Sequence, residues 1–140
     1  MAAFNKFNLT VEDWLKGATN YSSDTFKAML TNTTPVATNH VYGDISANEV
    51  ANGNGYTTGG ATVTISSVTN SSGTETVVAS AASPTWTATG SMGPFRYVVV
   101  YDSSAATKTL QCWFDFGSSI TLNNTDTFTV TFGANLFTLA

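Results

Sequence analysis

Charge is what this sequence has least of. Lys, Arg, Asp and Glu together make up 10% of its 140 residues, against roughly 25% in an average globular domain. The five basic residues, Lys6, Lys16, Lys27, Arg96 and Lys108, are scattered along the chain, so no basic stripe marks a nucleic-acid footprint. There is one cysteine, Cys112, and one histidine, His40. A lone cysteine excludes an internal disulfide, and one Cys with one His falls short of the ligand set of a structural zinc site. No apolar run approaches the roughly 20 residues that a membrane helix requires. The opening Met1-Ala2-Ala3-Phe4-Asn5-Lys6 has no charged region followed by an apolar stretch. The expectation is a chain made in the cytoplasm without a secretory signal. Together these absences predict no cofactor, no metal, no nucleic-acid partner and no membrane partner.

What is present is a β composition. Hydrophobic residues reach 42% and aromatics 12%, too much for a disordered chain of net charge −4. Polarity comes from Thr, Ser and Asn, whose shapes suit a pleated surface and its turns. A chain of 140 residues fits one domain with a real core.

Apolar residues alternate with polar ones in several stretches. Phe26, Ala28 and Leu30 form one such set; Ala61, Val63 and Ile65 another; Trp86 and Ala88 a third; Phe128, Val130 and Phe132 a fourth. Period two predicts half-buried strands. Phe95–Tyr101 is apolar on both faces apart from Arg96 and reads as a central strand. Leu110, Cys112, Phe114 and Phe116 read as one inward set, which makes Cys112 a buried structural thiol and puts Gln111, Trp113 and Asp115 on the outward side. Shorter strands are predicted at Glu75–Ala79, Ile120–Leu122 and Leu136–Leu139. Turn signals separate them at Asn70–Gly73, Gly90–Pro94, Asp102–Ala106, Asn123–Asp126 and Gly133–Asn135. Many short strands at this spacing predict an all-β fold, an antiparallel β-sandwich, jelly roll or small barrel.

Residues 1–20 read as an N-terminal arm with a short helix, and 21–140 as a single β domain. Thr10 is placed to cap the helix, with Asp13 three residues on, Leu9 and Trp14 spaced as a hydrophobic staple, and Lys16 and Gly17 at its end. Two turns are too few to stand alone in water, so the helix must dock. The long irregular region Thr31–Gly60 holds a possible helix at Asp44–Val50, with Ser46 and Glu49 at capping-box spacing, and ends in a glycine-rich run. A loop of that length is usually functional or mobile and is expected to reach a neighbouring subunit.

Catalytic signatures are thin. His40 has no glycine-flanked nucleophile motif to serve and reads as a turn histidine. Among nine scattered acids, only Asp102 and Asp115 end or interrupt apolar strands, and sequence does not bring them together as a hydrolytic pair. The 52–60 loop lacks both the carboxylates of a calcium site and the lysine of a phosphate loop. The expectation is a protein that is not an enzyme. Aromatics carry more signal. Phe4, Phe7 and Trp14 form a candidate surface for docking on a capsid or between protomers, the alternative being that they cover this domain's own core. Tyr56 and Trp113 are candidate glycan-facing aromatics, Trp113 having a subunit interface or second-layer core as its alternative.

Three stretches share a likeness: Tyr21–Asn39 with Thr33-Thr34-Pro35, then Gly53-Asn54-Gly55-Tyr56-Thr57-Thr58-Gly59-Gly60, then Gly93-Pro94-Phe95-Arg96-Tyr97-Val98-Val99-Val100-Tyr101 running on to Phe114-Asp115-Phe116-Gly117-Ser118-Ser119-Ile120-Thr121-Leu122. In this order and spacing they resemble a group of small tailed-bacteriophage virion structural proteins, over most of the chain. The resemblance implies a head decoration (cement) protein or a small tail-associated protein, and no catalytic residue. A decoration protein would bind the major capsid protein on the outer capsid surface and associate with itself, with a homotrimer expected around a threefold position. The alternative is a receptor- or glycan-binding module of a tail fibre or baseplate.

Overall fold

A computed structural model of the chain describes residues 2–80 and 84–140. The fold is all-β, with antiparallel pairing throughout and one short helix. The strands are β1 (Ala3–Lys6), β2 (Phe26–Thr31), β3 (Ala61–Val63), β4 (Ile65–Ser71), β5 (Thr74–Ala79), β6 (Thr85–Thr87), β7 (Met92–Asp102), β8 (Leu110–Leu122), β9 (Thr127–Thr129) and β10 (Phe137–Leu139). The helix α1 is Thr10–Leu15. A five-stranded sheet runs β1-β8-β7-β2-β3; a three-stranded sheet runs β10-β5-β4; β6 and β9 make a ribbon.

The central position of β7 follows from its sequence. Val98 and Val100 face one layer and Val99 and Tyr101 the other, all buried, so the strand needs apolar residues on both sides. The first layer is the larger. There Phe26, Leu30, Val98 and Phe114 pack against Trp86, Val77, Val130 and Phe132 from the ribbon, the smaller sheet and the C-terminal stretch. This is a sandwich, with side chains from both inner faces interdigitating. On the opposite face Phe7, Met29, Ile45, Val99, Tyr101 and Leu110 form a second core, roofed by the region between β2 and β3 rather than by a sheet.

That region is packed onto its own domain. The expected helix at 44–50 is replaced by two 3-10 turns, Tyr42–Asp44 and Ser46–Asn48. Glu49 caps neither. Its carboxylate accepts Tyr42 Oη and Tyr56 Oη, each at 2.5 Å, and the Gly59 amide at 2.7 Å. Val50 then closes the edge of β2 by donating its amide to Leu30 O, while Tyr56 Oη accepts the Leu30 amide. β2 pairs with β3 only from Phe26 to Ala28, so these contacts satisfy backbone groups that the short β3 leaves open.

Other local expectations also shift. Thr10 does not cap the helix: Leu9 holds the N-cap position without a side-chain bond, and Thr10 Oγ1 approaches Leu110 O and Gln111 O instead. Those carbonyls lie just past Lys6↔Cys112, where β1 ends, and the hydroxyl serves them. Asp13 accepts from His40 Nε2 at 3.0 Å, which ties the helix to the roof. Leu9, the expected staple partner of Trp14, lies exposed. The 90–94 segment, expected as a turn, includes the start of β7; its Gly93–Pro94 bond is cis, at a break in register with β8. Within residues 1–20, expected as an arm with a short helix, Ala3–Lys6 is the edge strand β1, paired with β8 from Ala3↔Asp115 to Lys6↔Cys112.

Two glycines at positive φ separate conformational cost from steric cost. Gly73 (φ +85) turns the β4–β5 hairpin with open space around it, whereas a Cβ on Gly60 (φ +76) would fall 1.8 Å from Ala28 O. Gly73→Ala should cost about 1–2 kcal/mol, the left-handed penalty alone. Gly60→Ala should cost more than about 3 kcal/mol, because backbone must move as well. Urea unfolding of the two variants measures the difference.

Candidate functional site

β8 carries an extra residue opposite β7. Val100 pairs with Cys112 but Tyr101 pairs with Leu110, so Gln111 is a bulge. The bulge moves Leu110 off the face of Cys112 and Phe114 and into the second core, which corrects the expectation of one inward set. Gln111 itself, expected outward, is 1% exposed. A buried amide must be satisfied, and this one is. Its Oε1 accepts Trp14 Nε1 at 2.8 Å and Tyr21 Oη at 2.9 Å; its Nε2 donates to Thr109 O and lies 3.2 Å from Thr19 Oγ1.

Those bonds stand two aromatic rings at the edge of the main sheet, where they meet β10. Trp14 stacks on Phe137 with centroids 4.8 Å apart and planes 12° off parallel. Tyr21 meets Phe137 edge-on at 5.3 Å and lies flat on the buried Phe26 at 4.4 Å. Phe4 reaches the same ring from β1, at 6.4 Å. Opposite them the β10-β5-β4 sheet presents one face. The registers Phe137↔Val77↔Val68 and Leu139↔Glu75↔Asn70 place these residues in two rows on it. Between the sheet and the aromatic wall lies an open cleft of about 420 Å³. Its walls are largely apolar, with Asn20, Ser22 and Glu75 supplying polar groups. Leu139, Val68 and Phe4 are each about two-fifths exposed.

The candidate residues divide accordingly. Phe4 and Trp14 converge on Phe137. Phe7 does not join them: it is 1% exposed and packs on Trp113 at 4.5 Å, so it covers this domain's own core. Trp113 is half-buried beneath that contact. Tyr56, at 2% exposure, offers no face to a sugar ring; its hydroxyl is bound to Glu49, and burial with that bond raises its pKa far above the ordinary phenol value. Sequence reasoning missed Gln111, Tyr21 and Phe137. Gln111 was hidden by assuming unbroken alternation through the bulge. The signal for Phe137 was present in the predicted last strand, but not its partners.

The candidate acids are apart. Asp115 pairs across from Tyr97 and Asp102 lies five residues further along β7, roughly 16 Å away at strand rise. Asp115 takes both Arg96 Nε (2.7 Å) and Nη2 (2.9 Å), which lowers its pKa. Asp102 is fully buried. Its Oδ1 accepts the Ser104 and Ala105 amides and Ser104 Oγ, while Oδ2 accepts from no N–H or hydroxyl among the described residues. Burial raises its pKa, the turn's donors draw it partly back, and the Asp24 carboxyl adds to the rise. Cys112 is buried and free, and burial pushes its thiol pKa up, as fits an inert core thiol. Among the described residues no group of three or more His, Cys, Asp or Glu side chains is placed to hold a metal ion.

Gln111→Leu should leave the Trp14 and Tyr21 donors unsatisfied and destabilise the fold by about 2–4 kcal/mol. Its tryptophan fluorescence should shift to the red in the folded state as Trp14 loosens. A group whose pKa is raised by folding is stabilising below its unfolded pKa, and that contribution is lost as pH rises through the folded value. Asp102→Asn keeps the Oδ1 acceptor without the charge. Its thermal midpoint should exceed the parent's at pH 7, and the gap should close as pH falls through the carboxylate range.

No protein-family model, curated protein or solved structure matches the chain, so its function is read from its own residues.

Proposed function

We propose that the chain is a non-enzymatic structural protein of a tailed-phage virion, a decoration protein that binds the major capsid protein on the outer face of the head shell. The observation that carries this reading is the aromatic cleft. Trp14 and Tyr21 are fixed by hydrogen bonds to the buried Gln111, yet with Phe137, Leu139 and Phe4 they leave apolar surface open to the outside. Anchored aromatics beside exposed aliphatics are the composition of an interface centre rather than of a rim. A cement protein needs no turnover: area buried on each of many equivalent copies stabilises the shell, and copies around a threefold position would present the same cleft. The low charge and the sequence resemblance agree with this reading.

A receptor- or glycan-binding module of a tail fibre or baseplate is the second reading. The reading takes no support from the buried Tyr56, and Trp113 is half-buried against Phe7. This second reading rests on Asn20, Ser22 and Glu75 beside the aromatic wall, a pairing of ring faces with polar groups that a sugar could use.

Quantitative mass spectrometry of purified virions separates the two. The decoration reading expects a copy number close to that of the major capsid protein. Leu139→Asp, at an exposed position opposite Glu75, should lower the thermal midpoint only slightly, through like-charge repulsion, and weaken binding to undecorated shells by about tenfold or more. A copy number of a few per cent, or unaltered binding by Leu139→Asp, rejects the decoration reading. Glycan-array binding abolished by the same substitution would favour the second.

A further inference from the structure

Sheet edges expose unpaired N–H and C=O groups, and proteins blunt them by brevity, charge, proline, bulges or cover. The free edges of this chain differ in that respect. β3, β6, β9 and β10 have three residues each, and β1 has four, including Lys6. β8 beyond Asp115 is interrupted by Gly117 at φ +84. β4 is different. It runs seven residues, Ile65–Ser71, without charge or proline, is exposed from Ser66 onward, and among the described residues pairs only with β5.

The hairpin fixes which groups point outward. Ser71 pairs with Thr74 across the two-residue turn Ser72-Gly73, both at positive φ. Such a turn closes on a hydrogen-bonded pair. Alternation then directs the backbone groups of Thr69 and Ser67 toward β5, and those of Val68 and Asn70 away from it. A register shift between Ile65 and Ser67 ends the regular ladder. The regular edge is therefore Ser67–Ser71, symmetric about Thr69.

We propose that this edge pairs with β4 of a second copy, antiparallel about a two-fold axis at Thr69, joining two β10-β5-β4 sheets into one. Val68 and Asn70 of each copy then exchange backbone hydrogen bonds with Asn70 and Val68 of the other. Thr69 faces Thr69, a pairing this chain already uses between β6 and β9, where Thr85 and Thr129 hydroxyls lie 3.0 Å apart and those of Thr87 and Thr127 3.2 Å. No like charges oppose each other. The hairpin's one charged side chain, Glu75, sits a strand away on β5 and accepts from Asn70 Nδ2. The half-exposed Val68 side chains become diagonal neighbours on the cleft face, so the apolar surface continues across the axis. Edge pairing alone buries less than the roughly 1,000 Å² of a stable interface, so the dimer is weak and concentration-dependent. The inference is independent of the virion reading, and either can fail without the other.

Sedimentation velocity of the purified full chain over a wide concentration series tests it. The parent should show a reversible dimer whose fraction grows with concentration. Thr69→Lys sets two ammonium groups against each other at the axis, and Val68→Pro removes an outward N–H at a position edge strands tolerate; both should remain monomeric with near-native circular dichroism. Thr69→Cys, oxidised with copper-phenanthroline, should form a covalent dimer much faster than Thr62→Cys, a control on the exposed face of β3. A parent that stays monomeric throughout, assembles only as a trimer, or dimerises equally well with Thr69→Lys overturns the proposal. So does equal cross-linking of the two cysteine variants.

Discussion

The side chain of Gln111 holds together the parts of this structure that meet the outside. One extra residue in β8 produces three effects at once. It puts Leu110 on the face opposite Cys112, so that β8 contributes to both cores. It turns an amide inward, where only full satisfaction makes burial tolerable. It leaves Leu110 and Gln111 carbonyls at the sheet edge, which Thr10 approaches from α1. A helix of six residues is too short to hold itself in water; its persistence follows from Thr10 and Trp14 being bonded to this bulge. The cleft wall is thus a consequence of strand register.

The second core depends on a carboxylate. A sheet with apolar residues on both faces needs two covers, and the chain supplies a sheet for one and an irregular segment for the other. Irregular segments bring backbone groups that helices and sheets would have paired. Glu49 gathers several donors of that segment at one carboxylate, and Tyr42 and Tyr56 are the side chains that reach it. Burial and these bonds raise both phenols above their ordinary pKa, and burial together with the Glu49 charge pushes Tyr101 up to about 12. All three therefore stay neutral donors across the physiological range.

Sequence made the layers legible and the connections obscure. Val98, Val99 and Val100 announce a strand buried on both faces whatever lies beside it, and Asn70–Gly73 announces a tight hairpin, because both signals are local. The bulge was not legible, since Gln111 looks like any outward polar residue when alternation is extrapolated through it. Nor was the role of Glu49: its spacing from Ser46 fits a capping box, but its three donors come from residues 42, 56 and 59, and only the packed segment brings them together. For the cleft, Phe4 and Trp14 drew notice as apolar residues near the start of the chain, while their meeting point, Phe137, lies at the far end. Phe7 drew the same notice for the same reason and went to the core.

Two tryptophans contrast the covered core with the open cleft. Trp86, on β6, is 4% exposed, with the rings of Tyr56 and Phe128 stacked beside it. Trp14 reaches the first face from α1, is bonded through its indole N–H and stacked on Phe137, and yet borders open space. The chain can cover a large ring when it commits a segment to doing so. At the cleft it commits hydrogen bonds instead, which fix ring orientation without removing apolar surface from water. Fixing a ring that stays wet costs side-chain entropy with little hydrophobic return in the free chain. That arrangement becomes favourable when another surface completes the burial, because the ordering has then already been done. On the proposed docking reading, the geometry of Gln111, Trp14 and Phe137 serves both ends: it stabilises the domain and holds ring faces ready for an outside surface.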